Sequence, residues 1–154
     1  MQRPDAGSAI AAPEILSVAD FKKLRVWGYA HALGLKVAKT ARKITDADYS
    51  SLRRQMIRSA LSVSANIVEG REKDSEAEFA RFLEIAKGSL SELEEHLITA
   101  RDLDLISGSD FHSLNDQVVE VRKMLSGLLT ILRRSIESKR KKRKRRPKRG
   151  ADSD

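Results

Sequence analysis

Apolar side chains recur at steps of three and four residues in four separate segments of this chain. The fourth segment shows the pattern most fully, over about three heptads, with Phe111, Leu114, Val118, Val121, Leu125, Leu128 and Leu132. This spacing places the apolar side chains on one face of a helix, whereas the alternation of every second residue that marks a strand occurs nowhere in the sequence. The chain is therefore expected to be all-α.

The first three segments carry shorter stripes of the same kind. They consist of Leu24, Trp27, His31, Gly34, Val37 or Ala38, and Ala41, then Leu52, Met56, Ser59, Ala60, Val63 and Ile67, then Phe79, Phe82, Leu83, Ala86, Leu90, Leu93, Leu97 and Ala100. Asp20 is placed to cap the first helix, Gly70 to end the second, and Ser75 with Glu78 forms a capping box at the start of the third. Because the connections are short, we predict an antiparallel up-down-up-down four-helix bundle.

Length and composition divide the chain into a leader, one domain and a tail. The 154 residues suit a single domain, which we place at residues 20–138. Residues 1–19 lack periodicity and contain Pro4 and Pro13, so a flexible leader is expected there. The sequence has no Cys, which excludes disulfides and thiolate metal sites, and no apolar run reaches the roughly 18 residues of a membrane span. We expect a cytoplasmic protein without a membrane partner.

Positive charge is concentrated in residues 139–149, where ten of eleven residues are Lys or Arg. The chain has 30 basic and 22 acidic residues, and two of the acids, Asp152 and Asp154, follow this segment, so residues 1–138 hold 20 of each sign. Since they contain almost no apolar side chains to fold around, residues 139–154 are predicted to form a basic disordered tail. Its first part is expected to extend the fourth helix until Pro147 stops it.

The electrically neutral remainder is itself polarised. Residues 20–58 hold ten basic residues and three acids, whereas residues 69–110 hold twelve acids and five basic residues. The two regions can attract each other within one molecule or between subunits. The simpler alternative is that both are solvated helix faces.

Three blocks of this sequence resemble a known bacterial family. They are Phe-Lys-Lys-Leu-Arg-Val-Trp at residues 21–27, Ala-Asn-Ile-Val-Glu-Gly at residues 65–70 and Gly-Ser-Leu-Ser-Glu-Leu-Glu at residues 88–94. These blocks are similar to the four helix bundle protein family, also called the 23S rRNA intervening-sequence protein family. That family is related to the accessory variability determinants of diversity-generating retroelements.

The resemblance implies an assembly and a set of partners. Members of the family form a basic, often pentameric, barrel of bundles, and the retroelement members bind a reverse transcriptase and nucleic acid. A homo-oligomer, with a pentamer suspected, and a reverse transcriptase are therefore expected partners alongside nucleic acid. One departure is Ser64, which stands where the family has proline. The second helix is thus expected to lack a proline kink.

Small and polar side chains in these blocks are candidate helix-packing positions. Ser62, Asn66 and Glu69 share one stripe of the second helix, which predicts hydrogen bonds to a neighbouring helix, the alternative being a ligand or RNA contact. A mid-helix glycine costs about 1 kcal/mol relative to alanine. Close approach of another helix is therefore expected at Gly88 and Ser89.

Two further residues and a glycine belong to the predicted packing surfaces. Trp27, the only Trp, is expected in the core or at a subunit seam, with base stacking as the alternative. His31 is expected to be a hydrogen-bonded core or interface group. Gly70 is included as a packing position at the end of the second helix.

The sequence contains no motif that assembles catalytic or metal-binding side chains. A di-iron bundle needs Glu-x-x-His pairs, but Leu93 precedes His96 at that spacing and Ser109 precedes His112. Glycine-rich phosphate loops are also missing. We therefore expect a protein that is not an enzyme and that uses neither a cofactor nor a metal.

The basic segment is the candidate nucleic-acid-binding site. It comprises Lys139, Arg140, Lys141, Lys142, Arg143, Lys144, Arg145, Arg146, Lys148 and Arg149, with assistance expected from Arg53, Arg54 and Arg58. Phosphate contacts of this kind release counterions and have little sequence preference for RNA or DNA. An anionic membrane is a weaker alternative, because no Trp, Phe or Leu accompanies the charges. The remaining alternative is an oligomeric protein–protein adaptor whose tail aids solubility or docks on an acidic partner.

Overall fold

The computed structural model describes residues 24–146, and every regular element in this part of the chain is helical. The helices are α1 Arg25–Ala41, α2 Ser50–Arg71, α3 Glu76–Asp102 and α4 Gly108–Arg145, with a 3-10 turn at Ala47–Tyr49. The all-α prediction and its four helices are thereby confirmed. Within residues 24–146, no helix combines the length and the apolar character needed to cross a bilayer. The predicted leader at residues 1–19, Lys148 and Arg149 lie outside the described residues.

Serine side chains cap α3 and α4. The Ser75 hydroxyl accepts a hydrogen bond from the backbone N–H of Glu78 at 3.2 Å, and the Ser107 hydroxyl accepts one from the backbone N–H of Asp110 at 3.0 Å. These bonds satisfy N–H groups that have no partner within the helix. The predicted cap at Ser75 is therefore present.

The buried face of α1 differs from the predicted stripe. It consists of Val26, Ala30, Leu33, Gly34, Val37, Thr40 and Ala41. Trp27 is half-buried and His31 is exposed, so the expectation of a core histidine is wrong. α1 comes close to α2 at Gly34, where an added Cβ would lie 3.2 Å from Leu61 Cδ2. In this orientation of α1, Leu33 and Val37 point into the core and the larger Trp27 lies at its edge.

The start of α1 also differs from expectation. α1 begins at Arg25, and Leu24 at the N-cap position provides no side-chain hydrogen bond. The predicted cap, Asp20, lies outside the described residues. The first turn of α1 is thus not capped by an acidic side chain in the part of the chain that the structure describes.

Consecutive helices are neighbours, and α4 also packs against α1. Contacts between α2 and α3 include Arg58 with Glu92 and Ser62 with Ser89. Contacts between α3 and α4 include Glu94 with Arg122, Glu84 with Arg133 and Glu76 with Lys139. In both sets the residue number rises in one helix as it falls in the other. The two helices of each of these pairs therefore run in opposite directions.

The core is formed by aliphatic side chains from all four helices. Its largest fully buried members include Leu33, Met56, Ile67, Leu83, Leu90, Leu93, Leu97, Leu114, Leu125 and Leu129. The stripes predicted for α2, α3 and α4 are buried, except that Leu52 and Leu128 are only partly buried. Leu129 takes the core position expected for Leu128. Each fully buried large apolar side chain stabilises the fold by about 1.5–3 kcal/mol.

α4 continues without a break past residue 138, the predicted end of the bundle domain. Residues 139–145 are helical, and Arg146 follows in an extended conformation. The predicted continuation of the fourth helix into the basic segment is therefore confirmed as far as Arg145, and this part of the predicted tail is helical rather than disordered. Lys and Arg have favourable helix propensities, and Lys139 is fixed to the bundle by an ion pair with Glu76.

The two glycines predicted to permit close packing occupy different environments. An added Cβ on Gly70 would lie 2.6 Å from Phe82 Cβ and 2.9 Å from Phe79 Cδ2, so α3 packs directly against the α2 backbone. α2 ends at Arg71, one residue after Gly70, so the predicted end of the helix is confirmed, and Gly70 serves packing inside its last turn. An added Cβ on Gly88 would meet nothing within 4 Å. The expected close approach at Gly88 is wrong within one chain, because this position faces solvent.

Candidate nucleic-acid interface

α4 is long enough to project beyond the helix beside it. Its 38 residues span about 57 Å, compared with about 40 Å for the 27 residues of α3. Lys139 lies beside Glu76, which is the first residue of α3. The six residues that follow it in the helix therefore extend about 9 Å past the start of α3. We call residues 139–145 the α4 extension.

One face of the α4 extension continues the apolar stripe of α4. Steps of three and four connect Leu129, Leu132, Ile136, Lys139 and Arg143, so the stripe becomes basic where the core ends. An open cleft of about 880 Å³ begins here, between the end of α4 and the α2–α3 connection. The α4 side of this cleft is lined by Ile136, Lys139, Arg140 and Arg143. We call Lys139, Arg140 and Arg143 the inner face.

Three carboxylates lie on the other wall of the cleft, at Glu72, Asp74 and Glu76. The Glu76 side chain is 8% exposed and accepts a hydrogen bond from Lys139. Burial raises the pKa of Glu76, but hydrogen bonds from Lys139 and Ser135, together with the Lys139 charge, outweigh burial and leave the pKa lowered. The inner face is thus opposed by acidic side chains, of which Glu76 is held ionised.

The opposite face of the α4 extension is open to solvent. At about 100° per residue, Lys141 and Arg145 point away from the inner face, and Lys142 and Lys144 flank them. All four side chains are exposed. Lys141 pairs with Glu137 at 2.8 Å, and this hydrogen bond raises the pKa of Lys141 and lowers that of Glu137. We call these four basic residues the outer face; the exposed Arg146 follows it.

The arginines predicted to assist from α2 lie far from the α4 extension. Arg53 donates to a backbone carbonyl of the α1–α2 connection at 2.6 Å, Arg58 pairs with Glu92 at 2.6 Å, and Arg54 is exposed. Glu92 lies about 24 Å along the axis of α3 from Glu76, the residue that contacts the extension. The structure therefore does not bring the two groups of predicted residues together.

The polar stripe of α2 reaches α3 through a serine pair. Ser62 Oγ lies 2.9 Å from Ser89 Oγ. Asn66 Nδ2 donates to the carbonyl oxygen and the hydroxyl of Ser62, at 2.8 and 3.0 Å, and Glu69 is exposed. The predicted hydrogen bond from this stripe to a neighbouring helix is therefore confirmed at Ser62, whereas the Asn66 amide bonds back along α2 within this chain.

Trp27 lies at the edge of the core rather than at the α4 extension. Its ring stacks on His31 with centroids 4.9 Å apart and planes 11° apart. The end of α1 lies near the start of α4, where Lys36 donates to Ser113 and Lys43, just after α1, pairs with Asp110 at 2.7 Å. The start of α1, beside Trp27, lies near the middle of α4, where the Glu120 charge acts on Arg25. About five helical turns separate Glu120 from the extension.

The acidic region at residues 69–110 is paired within the molecule. Its partners are Lys43 and Arg58 from the basic region, and Arg122, Arg133 and Lys139 from α4. Attraction within one molecule, one of the alternatives, is therefore realised, although α4 supplies more of the partners than the basic region does. Among residues 24–146, no three His, Asp or Glu side chains are close enough to share a metal ion.

The charged residues of the α2–α3 connection are the part of this site that sequence patterns do not indicate. Besides the three carboxylates they include Arg71 and Lys73, which line the cleft; Lys73 Nζ lies 5.1 Å from the centre of the Phe82 ring. The sequence feature that could have located this site is the spacing of the apolar residues of α4. If that spacing is continued past the core, the next two positions on the same face are Lys139 and Arg143. Because α3 runs antiparallel to α4, the first residues of α3 lie beside them.

The fold has a counterpart among solved structures. It is similar to the crystal structure of a protein of unknown function from the S23 ribosomal protein family of Bacteroides thetaiotaomicron. The two superpose with a TM-score of 0.64 at 23% sequence identity, over 68% of this chain and 97% of that chain. At this identity the likeness concerns the fold alone. A comparison with curated proteins found no match.

A protein-family comparison extends over most of the described helices. The model of the family described as 23S rRNA-intervening sequence protein matches residues 22–127, which is more than half of the 154 residues. The match includes α1, α2 and α3 and ends within α4, before the extension. The chain therefore belongs to the 23S rRNA-intervening sequence protein family.

Proposed function

We propose that this protein is a non-enzymatic, oligomeric scaffold that binds nucleic acid through the α4 extension. The observation that carries the proposal is the run of seven basic residues in Lys139–Arg145, which projects from the bundle as a helix with exposed side chains. A polyanion with regularly spaced phosphates matches such a surface. The family description, which refers to 23S rRNA, supports RNA as one form of that polyanion.

Binding of this kind is electrostatic and has low sequence specificity. The aromatic residues nearest to the cleft, Phe79 and Phe82, are buried at 2% and 7% exposure, so they do not offer a surface on which bases could stack. If all seven side chains contacted phosphates on a duplex, the slope of log K against log salt would be near −6, at about 0.9 for each contact. Affinity would then fall roughly five-thousandfold between about 50 and about 200 mM salt, and less if only one side of the helix makes contact.

We also propose that the helices form an up-down-up-down bundle and that copies of it assemble. The opposite directions of α2 relative to α3, and of α3 relative to α4, support this topology. Leu61 and Ile85 are 45% and 40% exposed, and Gly88 lies beside open space; together they support a self-association surface on α2 and α3. A pentamer would multiply the basic extensions and raise avidity without new contacts. In a retroelement setting, the assembly would present nucleic acid to a reverse transcriptase.

A second candidate function is that of an adaptor that docks an acidic protein. Lys139 pairs with the Glu76 carboxylate, which supports a carboxylate-bearing partner as an alternative to nucleic acid. An acidic peptide would bind weakly and would be displaced by nucleic acid, because a nucleic acid carries a denser line of charge.

Fluorescence anisotropy with labelled RNA and DNA duplexes tests the proposal. The full chain is compared with a variant in which the seven basic residues of the extension are replaced by Gln, a residue that preserves helix propensity. The full chain should bind at about 50 mM salt, and the variant should lose most of the salt dependence. No binding by the full chain, or equal binding by the variant, contradicts the proposed function. An unlabelled acidic peptide that displaces the duplex at equal concentration would favour the adaptor.

A further inference from the structure

We propose, resting on the proposed function, that nucleic acid contacts only the outer side of the α4 extension, because the carboxylates of Glu72, Asp74 and Glu76 lie across the cleft from the inner face and compete with phosphates for it within the same chain. The extension then acts as a one-sided phosphate-binding helix. Arg134, which precedes the extension, belongs to the same binding surface.

The residues of the inner face point toward the bundle. Lys139 and Arg143 continue the stripe that packs into the core, and they line the cleft together with Arg140. Across the cleft are Glu72, Asp74 and the buried Glu76, which accepts the hydrogen bond from Lys139. Arg71 and Lys73 line the same wall, but their charged groups lie over the rings of Phe79 and Phe82. A nucleic acid phosphate that entered the cleft would approach these three carboxylates. Repulsion and the loss of the Glu76 partner would oppose the gain from the basic side chains.

The outer side has the opposite character. Arg134, Lys141 and Arg145 follow at steps of seven and four, so they share one face over about 16 Å of helix. Arg134 is exposed, whereas its neighbour Arg133 is paired with Glu84. Lys142 and Lys144 are exposed beside this line, and Glu137, a carboxylate on the same side, is paired with Lys141. A duplex backbone can therefore approach the outer side without meeting Glu72, Asp74 or Glu76.

Two triple variants of the full chain with equal charge separate the faces. The outer variant replaces Lys142, Lys144 and Arg145 by Gln, and the inner variant replaces Lys139, Arg140 and Arg143 by Gln. Three lost phosphate contacts should reduce the slope of log K against log salt on a labelled mixed-sequence duplex by about 2.7 in the outer variant. The inner variant should lose less than about 1 in slope. Equal losses in the two variants would overturn the proposal.

Removing the negative charges of Glu72, Asp74 and Glu76, which we call the acidic wall, should make the inner face available to phosphates. A variant with Glu72→Gln, Asp74→Asn and Glu76→Gln is expected to bind the duplex roughly tenfold more tightly at about 50 mM salt, with a steeper salt slope. The matched control is Asp48→Asn, Glu95→Gln and Asp116→Asn, three exposed acids outside the cleft with the same change in net charge. The control should gain less than about threefold, because distant surface charges are screened by salt. An equal gain in both variants contradicts the role of the acidic wall.

Two further measurements distinguish a change in binding from a defect in folding. The double variant Glu72→Gln and Asp74→Asn leaves the buried Glu76 in place and should retain part of the gain, with circular dichroism checking the helices. Arg134→Gln should reduce the salt slope by about 0.9, whereas Arg133→Gln should leave it nearly unchanged. If the unmodified chain binds no duplex, the proposed function itself fails; if it binds but Arg134→Gln and Arg133→Gln behave alike, only the one-sided surface fails.

Discussion

Glu76, the first residue of α3, accepts a hydrogen bond from Lys139, which lies 63 residues later at the start of the α4 extension. The Glu76 side chain is 8% exposed and the Lys139 side chain 67%. The carboxylate has therefore lost most of its water, while the ammonium group has kept much of its own. Since a buried carboxylate needs a partner, this contact ties the basic helix to the bundle.

Replacement of Glu76 by Gln should make stability less dependent on pH. The pKa of Glu76 is lowered from 4.5 in the fold, so its contribution is present above that pH and is lost as the pH falls through the lower, folded-state pKa. At neutral pH the variant should lose about 1 kcal/mol of unfolding free energy, since the exposed Lys139 is screened by solvent. Urea unfolding at about pH 7 and about pH 3 measures the difference.

The matched control for Glu76 is the exposed Glu69. Glu69→Gln should follow the unmodified chain at both pH values, whereas Glu76→Gln should show a smaller loss on acidification. If lowering the pH reduces the unfolding free energy of the two variants by the same amount, the Glu76–Lys139 pair does not contribute to the pH dependence of folding.

Gly70→Ala and Gly88→Ala should change stability in opposite directions. The new Cβ at position 70 would lie 2.6 Å from Phe82 Cβ, and such overpacking costs about 1–3 kcal/mol. At position 88 an added Cβ meets nothing within 4 Å, so the better helix propensity of Ala should stabilise the chain by about 0.5–1 kcal/mol. Thermal unfolding of both variants, followed by circular dichroism, gives the comparison.

The Gly88→Ala variant also tests whether copies of the chain assemble. Light scattering of Gly88→Ala should show a smaller assembly if another copy packs against this face of α3. An unchanged assembly with raised stability would place the subunit contact elsewhere, and a destabilised Gly88→Ala monomer would contradict the open environment described for this position.

Ser62 and Ser89 should be energetically coupled. Their hydroxyl oxygens are 2.9 Å apart and join α2 to α3. Each single Ala variant should cost about 0.5–1.5 kcal/mol. The double variant should cost less than the sum of the two by about 0.5 kcal/mol or more, because the same bond is lost in all three. Additive values from denaturant titrations would mean that this bond contributes no net stability.

The sequence predicts helices and caps well because these depend on local patterns. Ser75 caps α3 as expected, since a cap bond is formed within a single turn. The rotation of α1 could not be predicted, because Trp27 and Val26 differ by one position and the choice depends on which neighbour α1 meets. Gly70 and Gly88 differ for the same reason. Each lies in a helix, but only Gly70 faces an aromatic side chain from the next helix.

The candidate site was predictable in composition but not in arrangement. The basic residues of the α4 extension stand out in the sequence, whereas their division into an inner and an outer face requires the position of Glu76. That carboxylate lies near Lys139 only because α3 and α4 run in opposite directions. Arg53 and Arg58, chosen for their charge, bond instead with partners in the connection before α2 and in α3.

Trp27 should be insensitive to nucleic acid bound at the α4 extension. Its ring is stacked on His31, and the start of α1, where Trp27 lies, is near the middle of α4, where the Glu120 charge acts on Arg25. Along α4, Glu120 and Lys139 are about 28 Å apart. Since base stacking requires direct contact with the indole, saturation with an unlabelled duplex should change Trp27 emission by less than about a tenth. Trp27→Phe should bind with unchanged affinity. Strong quenching, together with weakened binding by Trp27→Phe, would instead place the nucleic acid on α1.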